Sequence, residues 1–289
     1  MKEIIINAYK HIPYVFQNTL IHIKKNWKWL VIPFVAYLLV LIAVHVFFTY
    51  RDTTEIVRAT FYYRLVGMNV FLFGWLAIWR SLKHFKRYYF VTKLYNIMPV
   101  WNTIVLATLY MLMSVLLNGI ISIIKPINID TSVLGVLYYV VLSIAFITII
   151  VTMLGYLSII YRHVQLGFYI VSAMMLFTVP IFYIIPYGAS LIRHILMLNP
   201  IFYLVVGTQD AMIIGPVKVY DIPYHFYFYF VIAALILATY CLSRFITYQK
   251  VRVKMHEQHQ SVENDEDKAE EELDDDAKTA TSKKSDVKA

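Results

Sequence analysis

The sequence predicts an all-α, polytopic membrane protein: six transmembrane helices, an N-terminal amphipathic interfacial helix, and an outer re-entrant helical hairpin before the last span. Three observations carry this prediction. The 289-residue chain is 60% hydrophobic and only 15% charged, with a mean hydropathy of +0.63, whereas soluble domains run near 45–50% apolar and about 25% charged. Its apolar residues gather in long uncharged runs, enough to cross a hydrocarbon core of about 30 Å. Its Lys and Arg residues fall in short stretches between those runs, the pattern of cytoplasmic loops.

The first element covers residues 1–28. Ile5, Ala8, Tyr9, Ile12, Phe16, Leu20 and Ile23 recur at spacings of three and four, opposite Asn7, Lys10, Gln17 and Lys24. That periodicity predicts an amphipathic helix on the cytoplasmic surface, bent at Pro13. So much polar and amphipathic sequence before the first apolar run predicts a retained anchor and no cleavable signal peptide.

The transmembrane domain is expected over 29–247. Trp29 to Tyr50 is a run without charge, about 33 Å long as a helix. A second run, Ala59 to Trp79, contains Arg64, whose stem can snorkel to the outer surface. Val100 to Ile124 and Val133 to Ile160 carry no charge and are separated by a polar break at Lys125, Pro126 and Asp130. Val164 to Tyr187 makes a fifth span with Pro180 inside it, and Tyr224 to Thr247 makes the sixth. Gly188 to Pro223 is apolar but broken by Arg193, Asn199, Pro200, Gly207, Asp210, Gly215 and Pro216. No uninterrupted span fits there, so short re-entrant or interfacial helices shielded by their neighbours are expected.

Charge placement orients these spans. With both termini inside, 15 Lys and Arg residues of the body lie inside and six outside, namely Arg51, Arg58, Arg64, Lys125, Arg193 and Lys218. The positive-inside rule selects that topology. The formal charge of +8 also hides a division. Residues 1–254 hold 21 basic and 6 acidic residues, and residues 255–289 hold 5 and 12. The third region, 248–289, is thus expected to be a disordered acidic cytoplasmic tail, too polar to offset the entropy of ordering.

Several chemistries are missing from the pattern. Neither phosphate-binding glycine motif, Gly-x4-Gly-Lys-[Ser/Thr] or Gly-x-Gly-x-x-Gly, occurs, so no nucleotide or dinucleotide site is expected in this chain. His256-Glu257-Gln258-His259 has its histidines three apart where a zinc-protease helix has them four apart, and no metal site is expected. Nucleic acid is not an expected partner. Cys241 is the single cysteine, so no disulfide forms within the chain. The spans hold no acid, which disfavours an ion-driven pump. Asp210 in the hairpin is the nearest candidate, and His45, Asn69, Asn102 and Asn118 read as polar glue between helices or as path-lining groups. Aromatic residues crowd the membrane edges as an interfacial belt. Phe182, Tyr183, Tyr187, Phe202 and Tyr203 surround the re-entrant region, where ring faces can stack on a passing glycan.

Leu154-Gly155-Tyr156 leading to Arg162, then Pro180-Ile181-Phe182-Tyr183, then Leu198-Asn199-Pro200-Ile201-Phe202-Tyr203 resembles the order found in ABC-2 type permeases. The likeness is to the teichoic-acid and polysaccharide exporters of that family and runs from about Val91 to Ile246. It departs from the family at Arg162-His163 and near Gln209. Lys93, Asn96 and Pro99, with Arg87, resemble the loop that docks into the ATPase. The resemblance implies a transport subunit and no enzyme: a homodimer in the bacterial cytoplasmic membrane, surrounded by membrane lipids, that exports a lipid-linked glycan. It further implies that the chain binds no cofactor itself, with ATP and Mg handled by a separate ABC ATPase subunit. Alternatives are export of a drug, lipid or peptide by the same fold, or a membrane enzyme acting on lipid-linked sugars. Against the enzyme stands the lack of paired carboxylates or a histidine cluster at a membrane face.

Overall fold

The computed structural model describes residues 13, 14, 16, 17, 19–21, 23–51, 53–94, 99–126, 130–184, 190–215 and 222–248. The expected acidic tail beyond Tyr248 and residues 1–12 of the expected interfacial helix lie outside them. Among the described residues there is no strand. Helical residues between 13 and 25 lead into α1 (Lys28–Tyr50), α2 (Glu55–Leu94), α3 (Val100–Ile124), α4 (Val133–Ile160), α5 (Val164–Thr178), α6 (Ser190–Met197) and α7 (Pro200–Ile213). The last helix, α8, spans Ile222–Tyr248. Five helices, α1 to α4 and α8, are long and apolar enough to cross a membrane, and the bent pair α6 and α7 makes six if counted as one span. Helices of this length and composition mark a membrane protein. The chain divides into two compact units, 1–239 and 240–289; in the second, Arg244 Nε donates to the Tyr240 hydroxyl at 3.0 Å.

α2 is the axis of the first unit, packing on α3, α4 and α7, while α4 packs on α3 and α7. α1 stands at the periphery. Its buried residues, Tyr37, Leu41 and Phe48, form one stripe at spacings of four and seven, and the rest of its surface is left for lipid. Pro33 lies inside α1 and has no N–H to give the carbonyl four residues back. That carbonyl, of Trp29, accepts the Tyr110 hydroxyl at 3.3 Å. Tyr37 likewise donates to the Leu65 carbonyl at 2.5 Å, tying α1 to α2.

Two expectations are corrected by the helix bounds. The basic segment after the second span, whose Arg87, Lys93, Asn96 and Pro99 resemble a docking loop, continues the helix to Leu94, making α2 40 residues long. Charges end the apolar run there without ending the helix, because Leu82, Phe85, Tyr88 and Tyr89 keep a buried stripe at helical spacing. Among its described residues, the expected fifth span, Val164 to Tyr187, is helical over Val164–Thr178. Val179 is extended, with φ −82° and ψ 137°, the conformation forced on a residue before proline. At 15 residues, α5 is about 22 Å long, short of a full hydrocarbon core.

All five tryptophans, Trp27, Trp29, Trp75, Trp79 and Trp101, lie toward one end of the bundle. The rings of Trp29 and Trp79 are 5.1 Å apart, and Trp75 stacks on Trp79 at 6.0 Å. The Trp79 indole donates to the Tyr169 hydroxyl at 2.7 Å. At the same end Thr19 donates to Asn102 Oδ1 at 2.6 Å, which fastens the N-terminal helical residues to the start of α3. This is the composition of an interfacial belt.

Candidate functional site

α7 is the element that gives the bundle an interior. Its N-terminus is specified locally: Pro200 occupies the first turn, where its missing N–H costs nothing, and Asn199 caps it by accepting from the Ile201 N–H at 3.0 Å. The Asn199 amide also donates to Thr178 Oγ1 at 3.1 Å, joining the end of α5 to the start of α7. Preceding a proline, Asn199 is extended, and the chain bends by 108° between α6 and α7. Every residue from Phe202 to Ile213 is buried, with α2 and α4 as the main walls.

The C-terminus of α7 is held as firmly. The Ser132 N–H donates to the Ala211 carbonyl at 2.8 Å. The Met212 carbonyl accepts both Thr131 Oγ1 and Lys125 Nζ at 3.0 Å, and Lys125 also donates to Thr131. The Asp210 carbonyl accepts from Ile214 and Gly215, the latter at φ +85°, a left-handed position that glycine adopts without strain. An ammonium group against a helix C-terminus complements the macrodipole. Burial pulls the Lys125 pKa below its ordinary value, and the Asp130 carboxylate opposes that shift. Lys125→Met keeps the bulk and removes the cap. It should cost about 1–2 kcal/mol, read as a lower thermal midpoint together with faster amide exchange confined to the last turn of α7.

Two glycines let α7 approach its walls. A Cβ at Gly67 of α2 would collide with the Gln209 amide, and one at Gly207 of α7 would collide with the Tyr139 ring. Close backbone approach at small residues is how helices associate without a hydrophobic driving force. Gln209 is fully buried; its amide donates to the carbonyls of Tyr63 at 3.0 Å and Pro180 at 3.3 Å. One side chain thus joins α2, the exit of α5 and α7. The Tyr63 hydroxyl donates to Asp210 Oδ1 at 3.0 Å, so the acid of the hairpin is buried in the bundle and hydrogen-bonded to α2.

Beside the first turn of α7 lies an apolar groove of about 470 Å³. Gly74 and Trp75 of α2, Ile147 of α4, Gly167 and Met175 of α5, and Leu204 of α7 are among its walls. α5 makes the groove by standing off the bundle, with Phe168 its only buried residue. The lining carries no charged side chain, and Ser143, Ser172 and Asn199 are its polar residues. Such a surface accepts hydrocarbon and offers almost nothing to a polar solute.

The five aromatics expected along a glycan path do not share one surface. Phe202 and Tyr203 are buried, Tyr203 stacking on Phe228 at 4.8 Å with its hydroxyl on His225. Phe182 is exposed, the Tyr183 hydroxyl donates to the Thr178 carbonyl at 2.6 Å, and Tyr187 lies outside the described residues. Of the residues expected to couple to an ATPase, Arg87 is exposed on α2, Lys93 sits in the last turn of that helix, and Pro99 is buried directly before α3. Asn96 lies outside the described residues. Sequence reasoning missed the roles of Lys125, counted only as an outer charge, and of Gln209. The one signal was local: a glutamine and a lysine placed in or beside otherwise apolar stretches must find partners.

Fold and site together define a polytopic helical membrane protein with a bent helix pair packed into its core. No family model matches the chain, and no curated protein matches it.

Proposed function

We propose that the chain is the transmembrane permease subunit of an ATP-driven exporter of the ABC-2 type. It moves a lipid-linked cell-surface glycan, teichoic acid or a related polysaccharide, across the bacterial cytoplasmic membrane. The observation that carries this reading is the bent pair of α6 and α7, whose second helix begins inside the bundle beside the apolar groove. Interrupted helices starting within the membrane are the elements from which transporters build substrate paths. In this reading α1 to α4 and α8 cross the membrane, α5 crosses together with the non-helical residues 179–184 that follow it, the hairpin enters from the outer side, and both termini are cytoplasmic. The basic end of α2 meets a separate ATPase, which handles ATP and Mg, and two copies of the permease enclose the path. A groove with no charged lining also favours a second reading, export of a lipid by the same fold.

The test is co-expression with the ATPase encoded nearest to the chain. The pair should co-purify, and its ATP hydrolysis in proteoliposomes should rise with lipid-linked glycan. If no ATPase co-purifies, the reading fails; if a free lipid stimulates hydrolysis and the glycan does not, the second reading replaces it. Gly167→Leu probes the groove itself. Gly167 lines it, and a Cβ there meets nothing within 4 Å. The substitution should leave stability unchanged or about 0.5–1 kcal/mol higher, by thermal unfolding, while abolishing substrate-stimulated hydrolysis.

A further inference from the structure

We propose that Arg80 forms a binding site for the phosphate group of an anionic membrane lipid. Arg80 lies on α2 at the tryptophan-bearing end of the bundle and is 6% exposed. Its guanidinium carbon lies 5.2 Å from the Trp29 ring centre and 5.9 Å from that of Trp79. Those ring faces hold it; among the described residues neither a carboxylate nor a hydrogen-bonding group engages it. A guanidinium with so little access to water gains from an anion, because cation–π contacts offset only part of the desolvation cost.

The surroundings specify which anion. Arg80 opens into a cleft of about 20 Å³ that Asn26, His84, Tyr88 and Tyr110 also line. That volume holds about one water-sized atom, so the cleft admits a single phosphate oxygen and leaves the rest of the group outside. A free phosphate would keep most of its surface in water and gain little there. A lipid phosphate is already held at this depth by its acyl chains, on a level with the indoles. Lys83, whose ammonium lies 5.6 Å over the Trp79 ring, adds a second positive charge near the same ring. A planar fork of donors suits phosphate oxygens, and basic pockets between membrane helices bind such head groups.

This inference rests on the chain spanning a membrane and not on what it exports. The test is native mass spectrometry of the full chain, released from mixed phosphatidylglycerol and phosphatidylcholine micelles. The wild type should retain phosphatidylglycerol about fivefold over phosphatidylcholine. Arg80→Gln should bring the ratio near parity, Arg80→Lys should fall between, and Lys86→Gln, at an exposed position on the same helix, should match the wild type. Equal retention of the two lipids by the wild type overturns the proposal whether or not the Arg80 variants fold. Displacement of phosphatidylglycerol by millimolar inorganic phosphate also overturns it, assigning the site to free phosphate. A chain absent from the membrane fraction of cells would instead sink the membrane reading.

Discussion

Gly207→Val should be the most damaging single substitution in the bundle, costing about 3 kcal/mol and lowering the thermal midpoint of the purified chain. The reason is the Tyr139 ring, which already occupies the space that a Cβ at position 207 would enter. Tyr139 is itself buried and has no room to withdraw. It packs edge-on against Tyr138 at 5.1 Å and Tyr203 at 5.6 Å, and the His225 ring lies 6.4 Å away. Either α7 moves away from α4, breaking the Ser132 bond to the Ala211 carbonyl, or the aromatic cluster repacks. Gly119→Ala is the matched control, because a Cβ at Gly119 of α3 meets nothing within 4 Å. Replacing a helical glycine there should stabilise by about 0.5–1 kcal/mol. If both variants unfold at the wild-type midpoint, α7 is not seated against α4 as described.

The contrast between these two glycines shows what the sequence carries and what it does not. Apolar runs bounded α1, α3, α4 and α8 within a few residues, because length and lack of charge are local properties. The continuation of α2 past Trp79 was hidden by Arg80, Lys83, Lys86 and Arg87, which mark where hydrocarbon ends and say nothing about where helix ends. Its periodic stripe from Leu82 to Tyr89 was present in the sequence but outweighed by the charges. The hairpin was legible as a broken apolar stretch, since Asn199-Pro200 is a helix start written locally. Its burial was not legible. Gly67 with Gln209, Lys125 with Met212 and Gly207 with Tyr139 are tertiary contacts, and nothing in the composition of either partner names the other. The aromatic residues failed as a guide for a related reason: Phe182 and Phe202 are alike in sequence, but one lies on the surface and the other in the core.

Asn69 and Asn118 should be strongly coupled, with the double substitution milder than Asn69→Leu alone. Both are buried. The Asn69 amide donates to Asn118 Oδ1 at 2.8 Å and to the Ser114 carbonyl at 2.9 Å, linking α2 to α3 where apolar packing alone would leave their register free. Asn69 Oδ1 and Asn118 Nδ2 have no hydrogen-bond partner among the described residues, so the pair is only half satisfied as it stands. Asn69→Leu removes the donor and leaves the whole Asn118 amide buried without a protein partner, which should cost about 1–3 kcal/mol. Asn118→Leu leaves Asn69 its bond to the Ser114 carbonyl and should cost less. With both replaced by leucine, no side-chain amide is left unpaired between the helices, and the cost should fall below that of Asn69→Leu. A double-mutant cycle on thermal or denaturant midpoints in detergent measures this coupling directly. Additive losses would mean that the two amides do not meet across α2 and α3. A double variant that unfolds like the wild type but fails in ATPase-coupled transport would assign the pair to the path and not to the packing.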